Sequence, residues 1–212
     1  MRKFNLIIIL FYIFLSNVFY LNLNAGIKNS IVVKVGETLI TAVDIQNEVL
    51  TGLVIEKKEI SQENINNYKN FAVKNLIKKT IKRNEIKKYE VTNYNKKDLS
   101  AYIQNIAKIF ETNQAGLKEM FNQFNIDYSA FVENHETELL WNTLIYEYYR
   151  NQLNINMVEI NNNVETLRGS KNEEELKEFK KILIDQKKNE KLNLFSRSHF
   201  SNLENSVVVE FQ

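Results

Sequence analysis

The chain has 212 residues, with 28 basic and 26 acidic side chains, a net charge of +2, five glycines, no proline and no cysteine. The missing cysteine excludes disulfides, thiolate catalysis and cysteine-ligated metal. The missing proline suits long helices, because proline removes an amide donor and clashes inside a helix. Arg2 and Lys3 are the only charged residues before Gly26, so the remainder is neutral, and it lacks the clustered basic footprint that nucleic-acid binding needs.

Residues 1–25 read as a targeting segment. Arg2 and Lys3 form a positive start, Phe4 to Phe19 is apolar apart from Asn5, Ser16 and Asn17, and Leu23-Asn24-Ala25 offers a cleavage site before Gly26. The apolar run is long for a signal peptide and Leu23 is not small, so an uncleaved membrane anchor is the competing reading. Both readings send residues 26–212 out of the cytoplasm. That remainder is expected to be one mainly α domain.

The first element after the leader is a hairpin at about residues 31–40, IVVKVGETLI, two β-branched runs flanking Gly36-Glu37. Thr41 with Asp44 three residues on caps a helix expected to reach about Glu59. Ser61 opens the next helix, with Glu63 in its first turn. Ile65, Tyr68, Ala72, Leu76 and Lys79 mark one face of it, Val73, Ile77 and Ile81 widen that face, and Lys87 and Lys88 suit its C-terminus. Glu90 to Asn95 reads as a loop.

Three helices then follow between Asp98 and Tyr149 with almost no linker. Leu99, Tyr102, Ile103, Ile106, Ala107 and Phe110 recur at the helical period, and Leu117, Met120, Phe121 and Phe124 repeat it. The third helix, about Tyr128 to Tyr149, is apolar around much of its circumference. Asn113 and Asp127 are good N-cap residues for the second and third.

Beyond Leu153 the pattern restarts. Asn156 precedes a short helix ending near Arg168-Gly169, and Ser170 with Glu173 has the spacing of a capping box for a last helix reaching about Leu203. The tail at about 206–211, SVVVEF, is strand-like. A lone strand needs a partner, and the hairpin at 31–40 is the one available, making a small β clasp that joins 170–212 back onto the rest.

No residue pattern here performs covalent chemistry. His135 and His199 read as structural histidines, because no base, nucleophile or second ligand is spaced to join either. No metal and no cofactor are expected, and no catalytic residue is assigned. Trp141 is expected in the core. The Lys-rich runs at 78–88 and 177–191 read as solvated helix faces.

By Trp141 the order of elements is distinctive: IVVKVGETLITAVDI, then a helix with NLIKKTI, then IQNIAKIFETNQAGLKEMFNQFNIDYSAF. This resembles the SurA family of periplasmic chaperones, specifically its N-terminal helical domain. The segment from Ile155 to Val164 resembles the end of that domain, and the tail from about Phe195 to Phe211 resembles the family's C-terminal helix and strand. Typical members insert parvulin-type prolyl isomerase domains between the two. Here the insertion point is the turn Arg168-Gly169-Ser170, so that module is absent. The resemblance implies a periplasmic, non-enzymatic chaperone that binds unfolded outer-membrane proteins without ATP and prevents their aggregation. No small-molecule substrate is implied, and the outer-membrane assembly machinery is a second partner it allows. Phe121, Phe124, Tyr128, Phe131, Tyr146 and Tyr149 are the candidate client-binding residues, together with Tyr148. Each has the alternative of packing in the core. Two rival functions stand beside the chaperone: an envelope docking or structural subunit with the same fold, and a prolyl isomerase with an unrecognised site.

Overall fold

The computed structural model describes residues 31–212; the expected targeting segment at 1–25 lies outside the described residues. The described chain runs β1 (Ile31–Val35), β2 (Thr38–Thr41), α1 (Ala42–Ile55), α2 (Gln62–Lys88), α3 (Lys96–Ile109), α4 (Gln114–Gln123), α5 (Tyr128–Tyr149), a 3-10 turn (Arg150–Gln152), α6 (Met157–Glu165), α7 (Glu173–Ser206) and β3 (Val209–Phe211). It is mainly α with one small antiparallel sheet, ordered β2-β1-β3.

The sheet forms because two β-branched runs meet across Gly36, whose φ of +58° is open to glycine at low steric cost. The terminal strand then pairs antiparallel with β1, with Val33 opposite Phe211 and Val35 opposite Val209. Val33, Val35 and Ile40 are buried against Ile45, Val49, Leu53, Ala72 and Leu76 of α1 and α2, and Phe200 and Leu203 of α7, with Val207 just beyond its end, pack on the same cluster. The two ends of the described chain thus close one core.

The helix starts follow local side-chain chemistry. Thr41 and Asp44 form a reciprocal capping box: the Asp44 amide donates to the Thr41 hydroxyl and the Thr41 amide to the Asp44 carboxylate. Ser61, Asn113, Asp127 and Asn156 each accept amides of the following first turn. Two boundaries differ from expectation. α1 stops at Ile55 and not near Glu59, because Lys57 turns to a left-handed φ of 54° and the Lys58 amide closes on the Leu53 carbonyl. α7 is capped by Asn172 with Glu175, not by Ser170 with Glu173. Ser170 instead donates its hydroxyl back to the Leu167 carbonyl, finishing the turn that follows α6.

A second cluster joins Leu50 and Val54 of α1 to Ile103, Ile106, Ala107, Leu117, Phe121, Ile126 and Phe131. A third seats Ile86, Trp141, Leu144 and Ile145 against Leu192, Phe195 and Phe200 of α7. Helix α5 packs on α2, α3 and α7 together, which accounts for its apolar circumference. Charge is also buried along this spine. Lys79 binds both oxygens of Glu48 at 2.7 and 2.9 Å, and Asn75 and Asn134 donate to the same carboxylate. Among the described residues no helix is long and apolar enough to cross a membrane.

Candidate functional site

The six aromatic candidates divide by what lies behind their helices. Phe121 and Phe131 are fully packed, their rings 5.0 Å apart and edge-on. Both belong to the buried cluster that includes Ile126, which is the core-packing alternative of the two readings given for them above. Tyr128 is partly buried in the same cluster, 6.0 Å from Phe121 and 5.9 Å from Phe131, and its hydroxyl has no hydrogen-bond partner. Tyr149 stacks on Phe195 at 4.5 Å and meets His199 through its hydroxyl at 3.0 Å, so it holds α7 to the body. Phe124 and Tyr146 stand in solvent at 42% and 50% exposure.

Two exposed aromatics meet where α2 and α5 end. Tyr89 caps the C-terminus of α2 and Tyr148 comes from the last turn of α5. Their rings meet edge-on at 5.6 Å, and they are 41% and 49% exposed. Tyr146 is also exposed, but two positions from Tyr148 it projects from a different face of α5. Burial raises the Tyr89 and Tyr149 hydroxyls above the usual phenol range, reinforced at each by neighbouring tyrosines, so these two remain neutral hydrogen-bonding tips on apolar bodies. Lys88 sits 5.0 Å over the Tyr89 ring and adds a cation to the edge of the patch.

Beneath this patch is an arrangement the sequence did not disclose. His199 of α7 faces the buried Glu85 of α2 through Nε2 at 3.2 Å and the Tyr149 hydroxyl of α5 through Nδ1 at 3.0 Å. Trp141 and Tyr148 close on its ring edge-on at 5.6 and 5.5 Å. Glu85 is 114 positions from His199, so no local spacing could have paired them. Every polar atom of the imidazole is satisfied, and the three groups act as a rivet through three helices.

A largely apolar groove of about 310 Å³ opens between the sheet and the first two helices. Val32, Ile45, Val49 and Ile65 line its floor; Gln46, Gln62 and Lys69 form its lip. A second cleft, of about 230 Å³, lies between α1, α2, α3 and α5. There His135 stacks face to face on Tyr102, with ring centroids 3.5 Å apart and planes within 6°. Burial pulls the His135 imidazole below the usual histidine range, against the opposing pull of Glu138. Burial likewise raises the Tyr102 hydroxyl. Tyr68 is pushed up to about 12 by burial and by Glu56, to which its hydroxyl donates at 3.2 Å.

Among the described residues, no group of three or more His, Asp or Glu side chains is placed to hold a metal ion. The sequence matches no protein-family model and no curated protein.

Proposed function

We propose that this protein is an ATP-independent periplasmic holdase of the SurA type, reduced to its chaperone core, which shields unfolded outer-membrane β-barrel proteins. The observation that carries the reading is the exposed aromatic pair Tyr89 and Tyr148, two amphipathic rings in edge-on contact where α2 and α5 end. Such surface on a folded protein marks a binding role. The apolar groove under the sheet supplies a second, separate contact. Client strands alternate apolar and polar residues, so each strand offers a thin apolar strip, and several weak sites suit it better than one deep pocket. Weak contacts also allow release without nucleotide. The seven residues between α6 and α7, 166–172, form a turn where the proposed relatives carry an isomerase, and the activity proposed is therefore binding alone.

The test dilutes a urea-unfolded outer-membrane β-barrel protein into buffer and follows light scattering with and without the purified protein. Suppression at near-stoichiometric ratios without nucleotide is the expected result. Failure with several barrel clients, together with stoichiometric capture of one folded envelope protein, would replace the holdase with a docking subunit.

A further inference from the structure

Strand β3 occupies a seat that it fills poorly. The seat is the side of β1 turned away from β2, and β1 is the central strand of the sheet, with Val33 and Val35 fully buried. β3 holds it through three cross-strand pairs: Val33 with Phe211, Lys34 with Glu210 and Val35 with Val209. The Gly36 amide donates to the Val208 carbonyl and the Gln212 amide to the Val32 carbonyl, both at 3.0 Å. Residues directly opposite in an antiparallel pair share a face, so Val209 and Phe211 stand on the core side with Val33 and Val35. Val207 and Val209 reach the core cluster and are only partly buried. Phe211, on that same side, is 70% exposed, and Val208, on the outer face, is 65% exposed.

Two features define what else the seat would take. The first is its occupant. Val207, Val209 and Phe211 alternate with Val208 and Glu210, so the tail is apolar on its core-facing side and mixed on the other. A barrel strand of the outer membrane has the same period of two, with one apolar face. The second is that the seat continues beyond β3. Val32, whose carbonyl accepts the Gln212 amide, also lines the apolar groove of about 310 Å³. A strand running past the position of Gln212 would bring further side chains to that groove.

We propose that β3 is an internal stand-in for the client: an extended client strand with alternating apolar side chains displaces it from β1 and pairs in its place. Backbone hydrogen bonds supply affinity without reading sequence, and every second side chain selects for an apolar face. Because β3 is tethered to α7, it competes at high effective concentration. The exchange is therefore weak and reverses without nucleotide. The identity of the client rests on the holdase reading; the displacement of β3 does not.

The experiment uses the full mature chain and a fluorescein-labelled peptide with the sequence of residues 206–212, Ser-Val-Val-Val-Glu-Phe-Gln. The control peptide carries serine at its three core-facing positions. Lys34 and Glu210 lie between the two cross-strand hydrogen bonds, which sets their Cα atoms about 5.5 Å apart, inside the disulfide range of roughly 4.4–6.8 Å. The chain has no cysteine of its own, so the double variant Lys34→Cys, Glu210→Cys locks β3 when oxidised and frees it when reduced. Fluorescence anisotropy should rise saturably with the wild type and with the reduced variant, and not with the oxidised variant or the control peptide. Val209→Ser, which weakens β3 in its own seat, should bind the peptide about fivefold more tightly than the wild type. Equal binding by the oxidised and reduced forms would place the peptide on another edge and overturn the exchange. So would no binding by the wild type, equal binding of the control, or no gain in Val209→Ser. Peptide exchange by a protein that fails to suppress aggregation retires the holdase and keeps the exchange; suppression by a protein that ignores the peptide does the reverse.

Discussion

Phe121 and Phe124 stand three positions apart around the end of one short helix and face opposite surroundings. Phe121 meets Phe131 and Tyr128 inside the second cluster, whereas Phe124 leaves the helix end into solvent. Phe121→Ala is expected to cost about 3–5 kcal/mol in urea denaturation, the range for truncating a packed phenylalanine. Phe124→Ala should change stability by less than about 1 kcal/mol and show its effect in client suppression. Equal destabilisation by the two would mean that the packing described around Phe121 is wrong. His135 carries a pH dependence of defined sign. The unfolded chain takes up its proton near pH 6.5, and the native chain does so only at lower pH, because burial disfavours the charged ring. Between those values the unfolded state holds more protons, so the native state loses stability as the pH falls through that window. On going from about pH 7.5 to about pH 5.5, the urea midpoint of the wild type should therefore drop further than that of His135→Gln. Identical drops would remove His135 from the account.

Four helices share one ending. Lys57, Glu90, Glu111 and Asn125 all have φ of 54–55°, and the residue after each closes a bond five positions back: Lys58 to Leu53, Val91 to Ile86, Thr112 to Ala107 and Ile126 to Phe121. These are Schellman ends, and all four carbonyl owners are buried. Glycine ordinarily occupies the left-handed position, since a Cβ there costs roughly 1–2 kcal/mol. A chain with five glycines instead places lysine, glutamate and asparagine there. Lys57→Gly, Glu90→Gly and Glu111→Gly are each expected to stabilise by about 1 kcal/mol net of the added unfolded-state freedom of glycine. Each should raise the melting temperature by roughly 2–4 °C for a domain of this size, and the three, on separate helices, should add. A fall in melting temperature at any of them would show that the side chain there makes a contact outweighing the strain. The N-termini needed no such repair, because Thr, Ser, Asn and Asp supply the caps directly.

Across the whole molecule, α7 acts as a strap. It starts against α6, passes the Trp141 cluster and delivers β3 to the sheet. Trp141, the single tryptophan and 1% exposed, donates its indole N–H to Ser196 of that strap at 2.8 Å, so its emission reports whether α7 is docked. His199→Ala leaves the buried Glu85 carboxylate facing only Lys88, at 3.4 Å. It should loosen the strap, shifting Trp141 emission to the red and weakening stability by about 1–3 kcal/mol, the cost of orphaning a buried polar group. Unchanged emission with unchanged stability would show that the Glu85–His199–Tyr149 rivet holds nothing.

Most of the elements were legible locally. Alternation at Ile31 to Ile40, apolar recurrence in the helices, and capping residues at Thr41, Ser61, Asn113, Asp127 and Asn156 depend on neighbours within four positions, which is the range over which backbone hydrogen bonds and side-chain caps act. The pairing of the tail with the hairpin followed from a strand's need for a partner. Tertiary structure alone decided which aromatics are walls and which are surface. Periodicity assigns a residue to a helix face, but burial depends on what the rest of the chain lays against that face. Phe121 and Phe131 are covered by Ile126 and α3, Tyr149 by Phe195, and Tyr146 and Phe124 by nothing comparable. Glu48 with Lys79, and Glu85 with His199, likewise meet across 31 and 114 positions. Buried charges need partners wherever the fold can supply them, and that supply is a property of packing.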